Sequence, residues 1–120
     1  MKKIHEYVVY EKQPIIEAVA VIQGNLSRCC VVLNDARKVV GVFSEGDVLR
    51  AILAGTDLHA PVKKILKPSF HSLSSPDLAA AFKLVKKFGI TLVPVLNDAC
   101  ELQQVVTFHD IMEKVTFNQP

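Results

Sequence analysis

The strongest constraint in this 120-residue sequence is that it aligns with itself at one gapless shift of 63 residues. Under that shift Gly41-Val-Phe-Ser44-Glu-Gly-Asp47-Val lies over Gln104-Val-Val-Thr107-Phe-His-Asp110-Ile. The same shift sets Asn34-Asp35-Ala36 on Asn97-Asp98-Ala99, Ala18 on Ala81, and Val21-Ile22 on Leu84-Val85. Internal self-similarity of this kind marks a duplicated structural unit. The chain therefore reads as two copies of one unit, 1–57 and 66–120, joined by a linker at 58–65, the whole forming one globular module.

Period and punctuation give the contents of the unit. Ile15/Ile16, Val19, Ile22 and Leu26 recur at helical spacing behind Pro14 and before Gly24-Asn25, an amphipathic helix with start and stop signals. Arg28–Leu33 and Val39–Phe43 are short β-branched runs around a turn-rich connection, which predicts an antiparallel hairpin. Ser44 opens a second helix that Gly55 ends. The second copy repeats the order: a helix from Ser75-Pro76 to Gly89, strands Thr91–Leu96 and Glu101–Val106, and a last helix opened by Thr107. Short strands at Tyr7–Tyr10 and Phe70–Leu73 are expected ahead of each first helix. The expected fold class is α+β, two tandem β-α-β-β-α units. A unit of about 55 residues buries only around 60% of its surface. The two should therefore pack through their apolar sheet faces about a pseudo-twofold axis, leaving two equivalent clefts, the usual setting for a ligand. Ile16, Val19, Ile22, Val32, Val42, Leu49, Phe82, Val85, Val95, Val105 and Ile111 are the expected core.

Composition narrows the function. Half the residues are hydrophobic and 22% are charged, which argues against disorder. A net charge of +2, without Trp and with two Tyr, offers little to a nucleic-acid backbone or to stacked bases. The longest apolar runs, such as Ala18–Ile22, are far short of the roughly 20 residues of a membrane span. With no apolar run like that of a secretory signal after Met1-Lys-Lys, the expectation is a cytoplasmic protein. The adjacent Cys29-Cys30 and the lone Cys100 suit neither a disulfide framework nor a C-x-x-C metal site. His5, His59, His71 and His109 form no ligating pair. Neither a nucleophile–base pair at a defining spacing nor a Gly-rich phosphate loop is present, so catalysis is not expected. On a strand Cys29 and Cys30 face opposite sides, one toward the core.

Two copies of β-α-β-β-α, each ending in a Ser/Thr-x-x-Asp followed by an apolar helix, resemble a tandem CBS-domain pair, or Bateman module. Gly41-x-x-Ser44-x-x-Asp47 matches the strand-to-helix motif in full, whereas the second copy has Gln104 in place of Gly. Gly89-Ile-Thr-Leu-Val-Pro94-Val95 is also similar to the family's pattern. Ser44–Gly55 is similar to the CBS segment beside some sugar-phosphate nucleotidyltransferase domains. The resemblance implies a non-catalytic regulatory module that needs no cofactor and binds an adenosine-containing ligand, AMP, ADP, ATP or S-adenosylmethionine, in the clefts between the repeats. It implies a ribose contact at Asp47 and Asp110, with Ser44, Gly46, Thr107 and His109 near phosphate. Arg28-Cys29 and Thr91-Leu92 would line the base and phosphate side. A homodimer, and a separate enzyme or transporter under its control, are the implied partners.

Helix chemistry supports such a site independently, because a helix N-terminus offers unpaired N–H groups and a positive dipole end to phosphate. The same four-residue spacing is equally that of a capping box, which needs no ligand. The alternative function is therefore a ligand-free dimerisation or scaffolding module. Gly41 against Gln104 makes the Asp47 site the stronger expected binder, since glycine permits close approach and glutamine fills space.

Overall fold

The computed structural model describes residues 3–118, with side chains through Lys114. The chain forms two compact units, Met1–Phe70 and His71–Pro120.

In the first unit a short 3-10 turn, Ile4–Tyr7, leads into strand β1, Val8–Tyr10, and helix α1, Ile15–Gly24. Strands β2, Cys29–Leu33, and β3, Val39–Ser44, form the hairpin, and helix α2, Glu45–Leu53, follows directly. β1 runs parallel to β2, and β3 antiparallel to it, so β2 is central. The core gathers Val9, Ile15, Ala18, Ile22, Cys30, Val32, Phe43 and Val48. In the second unit helix α3, Leu78–Phe88, precedes strands β4, Leu92–Leu96, and β5, Leu102–Thr107, and helix α4, Phe108–Asn118. Its smaller core is Ala81, Val93, Val95, Val106 and Ile111. The mixed α+β architecture is as expected.

The 63-residue shift holds at the level of individual pairings. Cys29 pairs with Ser44 and Leu92 with Thr107; Val32 pairs with Gly41 and Val95 with Gln104. Both hairpins break register after the same position, between Val32 and Leu33 and between Val95 and Leu96. Asn34 Oδ1 accepts from Ala36 N and Lys38 N, and Asn97 Oδ1 accepts from Ala99 N and Glu101 N. Arg37 and Cys100 close the two turns with φ of 64° and 63°. A turn held by an Asx side chain tolerates such a left-handed residue.

Several expectations change. Phe70–Leu73 is no strand beyond one parallel bridge from Leu73 to Val95, so the second sheet has two strands. α3 is opened not by Ser75 but by Asp77, whose carboxylate accepts from Ala79 N and Ala80 N. Cys29 and Cys30 are both buried, because the central strand β2 is covered along its whole length. Ile16, Leu49 and Phe82, expected in the core, are 42%, 55% and 46% exposed. Their helices are apolar over a wider arc than the unit's own core covers.

The segment expected as a linker is structured onto the first unit. Ala60 O and Leu58 O accept from Ile15 N and Ile16 N, two of the open donors of α1, and Pro61 bridges Pro14. Val62 is fully buried, with Leu58, Ala60, Ile65 and Leu66 packed around it. Pro14 has no side chain with which to cap α1, so this strap does for α1 what Asp77 does for α3.

Candidate functional site

Each hairpin delivers its last strand directly into a helix, and the two helix starts are built alike. In the first unit Asp47 N donates to Ser44 Oγ at 3.3 Å, while Ser44 N donates back to Asp47 Oδ2 at 2.8 Å. The Ser44 hydroxyl adds a 3.0 Å bond to the same oxygen. In the second, Asp110 N donates to Thr107 Oγ1 at 3.2 Å and Thr107 N donates to Asp110 Oδ2 at 2.8 Å. Both are complete capping boxes, with Asp in the place of Glu. Strand and helix are also tied across the hairpin: Glu45 N donates to Arg28 O, and Phe108 N to Thr91 O. The spacing that singled out Ser44/Asp47 and Thr107/Asp110 thus places four side chains at equivalent points.

The surroundings of the two carboxylates differ. Asp47 Oδ1 receives Arg50 Nη2 at 2.6 Å, and Arg28 Nη1 meets Glu45 Oε2 at 3.1 Å. Partial burial pushes the Asp47 carboxyl up, but the hydrogen bonds from Ser44 and Arg50 outweigh it and hold the group below its ordinary range. Asp47 is therefore a carboxylate at neutral pH, with its side chain 18% exposed.

Arg28 sits at φ 54°, a left-handed backbone for a side chain that rarely adopts one. Asn25 supports it. Its Oδ1 accepts from Ser27 N and Arg28 N, and its Nδ2 donates to Val21 O and Cys29 O, tying the end of α1 to the start of β2. Gly46 is half-buried in the first turn of α2, and His109 is exposed in the corresponding turn of α4. Thr91 is half-buried, whereas Cys29 and Leu92 are buried at the starts of their strands. Burial pushes the Cys30 thiol well above its usual value, with Cys29 and Asp47 adding to the shift, so it is no nucleophile.

Sequence reasoning read Asn25 only as part of a helix stop signal and assigned no role to Glu45 or Arg50. A charge three residues after a capping carboxylate is a signal for Arg50, because i and i+3 share a helix face. The part played by Asn25 depends on where the backbone returns, which no local pattern shows. Gly41 also has a packing role that sequence reasoning did not assign: a Cβ there would stand 2.9 Å from Leu66 Cγ. The glycine makes room for the strap. Among the described residues no cluster of His, Cys, Asp or Glu could hold a metal ion, and no helix is long and apolar enough to cross a membrane.

A duplicated α+β module with a capped, carboxylate-bearing helix start in each repeat defines the class. Residues 1–54 match the CBS domain family model, and the chain has the fold of solved CBS-domain pairs. A CBS domain protein from Pyrobaculum aerophilum, complexed with AMP, superposes with a TM-score of 0.75 at 22% identity over 98% of this chain and 99% of its own. The CBS domain pair of protein MJ0100, in complex with 5′-methylthioadenosine and S-adenosyl-L-methionine, gives 0.78 at 17% identity over 93% and 89%. An uncharacterized protein of Helicobacter pylori strain J99 is 35% identical over 86 residues, 69% of this chain. The chain spans about a quarter of the length of the curated relatives it matches, 26% in each case.

Proposed function

We propose that the chain is a regulatory module without chemistry of its own, binding an adenosine-containing ligand at Asp47. The observation that carries this reading is the matched pair of helix starts, each with a capping carboxylate, in a fold shared with proteins solved with AMP and with S-adenosylmethionine. Asp47 would accept the ribose hydroxyls. Ser44, Gly46 and Arg28 supply the phosphate side, with Cys29 behind them in β2. Asp110, with Thr107, His109, Thr91 and Leu92, forms the weaker counterpart. A homodimer through α2 and α4, and a separate enzyme or transporter regulated by it, complete the proposal, together with a cytoplasmic location.

One observation favours the ligand-free scaffolding alternative: both capping boxes are complete as they stand. A thermal-shift series with AMP, ADP, ATP, adenosine and S-adenosylmethionine separates the two. A ligand at 100 times its dissociation constant adds about 2.7 kcal/mol of stability. A rise in melting temperature with any of the five supports the regulatory reading; no shift with any of them leaves the scaffold.

A further inference from the structure

Away from the helix starts, the second unit has a face that the first lacks. α3 and α4 enclose a pocket of about 200 Å³ lined by Leu78, Ala79, Phe82, Ile111 and Lys114. Ile111 is buried and Leu78 half-buried in the unit's core, whereas Phe82 is 46% exposed. Lys83 follows Ala79 by four residues and Lys86 follows Phe82 by four, so both lie on the pocket's side of α3. With Lys114 they set three exposed cations around one apolar opening. Asp110 and Glu113 share α4 with Lys114, but Leu78–Phe88 holds no carboxylate, and among the described residues neither Lys83 nor Lys86 makes an ion pair. The fold does not need this chemistry. Under the 63-residue shift Ala20, Gln23 and Ala51 stand where Lys83, Lys86 and Lys114 do, in elements that form equally well, and Ala51 is buried.

We propose that the α3–α4 face docks an acidic segment of a separate protein, which seats one Leu or Phe side chain in the pocket and sets carboxylates against Lys83, Lys86 and Lys114. The pocket is smaller than the roughly 300–1,000 Å³ of small-molecule sites, and it suits a single large apolar side chain as anchor. Charge complementarity makes the segment around that anchor acidic. A second copy of the chain fits less well, because a twofold contact brings the same patch of each copy together, cation against cation. A lipid surface takes up a broad apolar stripe, and this face exposes one large apolar side chain, Phe82. The inference goes beyond the adenosine reading, since no residue assigned to the Asp47 or Asp110 site lines the pocket.

Fluorescence anisotropy of the whole chain with a fluorescein-labelled synthetic peptide, Asp-Glu-Glu-Leu-Phe-Glu-Glu-Asp, tests the face. Controls are the same peptide with Ser in place of Leu and Phe, and vesicles of equal parts phosphatidylcholine and phosphatidylserine. Wild type should bind the acidic peptide about tenfold or more tighter than its Ser form, and more weakly as salt rises. Lys83→Glu with Lys86→Glu should lower the affinity by about tenfold or more, while Lys63→Glu with Lys64→Glu, the same change of net charge in the first unit, should move it less than about twofold. Ala79→Leu, at an exposed position of α3, fills the pocket without altering charge and should bring the affinity down to that of the Ser peptide. Each variant is first shown by circular dichroism and melting to fold. An equal loss in the Lys63/Lys64 pair, or full binding by Ala79→Leu, overturns the proposal. So does wild type that binds the vesicles alone, or neither probe. No nucleotide enters these titrations, so their failure leaves the adenosine reading standing.

Discussion

Asp47 serves three donors at once, the Ser44 backbone N–H, the Ser44 hydroxyl and the Arg50 guanidinium. This fixes the direction of its pH effect. Its folded pKa lies below the ordinary 3.8, so its contribution to stability is complete above that value and is lost as pH falls through the folded value. The urea midpoint of wild type should exceed that of Asp47→Asn at pH 6, and the gap should be smaller at a pH below 3.8. An equal gap at both values would show that the carboxylate charge contributes nothing. Asn still caps a helix, so the same variant separates binding from folding: nucleotide affinity should drop roughly ten- to a hundredfold, while stability at neutral pH falls by no more than about 1 kcal/mol. Calorimetry beside a chemical melt measures both. This chemistry was legible in the spacing Ser44-x-x-Asp47. That Arg50 shares the carboxylate was not, because i+3 spacing permits contact without selecting one rotamer among many.

Within the first unit, the strap of residues 58–66 and Gly41 account for one another. Leu66 occupies the space a side chain at Gly41 would need, so Gly41→Ala should destabilise by about 1–2 kcal/mol through overpacking. In the double variant with Leu66→Ala the two losses should fall short of additive, which a double-mutant cycle by urea denaturation reads directly. Strict additivity would mean that the two sites do not share space. Val62, fully buried in the same core, should cost about 2 kcal/mol when cut to Ala. Gln104, at the second copy's equivalent position, is exposed. The elements themselves could be read from Pro14, Gly24, Gly55 and Gly89 and from the β-branched runs. The docking of Val62 could not be, since a Pro-Val-Lys-Lys segment looks like polar connection until the core it fills is known.

For the whole molecule, the exposed apolar residues of α2 and α4 argue for a second copy of the chain. Leu49, Ile52 and Leu53 are 55%, 53% and 87% exposed and Met112 is 42% exposed. Ile111 lies in the core instead, and Val115 is outside the described side chains. Exposed apolar helix surface of this kind is what a self-complementary twofold interface buries. Sedimentation at micromolar concentration should show a dimer, converted to monomer by Leu49→Asp with Ile52→Asp; monomer in wild type would remove the idea. The duplication, the helix–hairpin–helix order in each copy and the antiparallel pairing of both hairpins were legible in the sequence alone, whereas the strand expected at Phe70–Leu73 is reduced to a single bridge. A period repeated without gaps, and turn residues such as Asn34 and Asn97 at matching offsets, specify local structure through short-range hydrogen bonds. Tertiary structure alone decided that β2 is covered on every residue, that residues 58–66 complete the first core, and that Arg50 rests on Asp47. The first two depend on which distant atoms exclude water from a surface, and the hydrophobic effect, being non-directional, leaves no local signature of its partner; the third is a choice of rotamer that i+3 spacing permits without selecting.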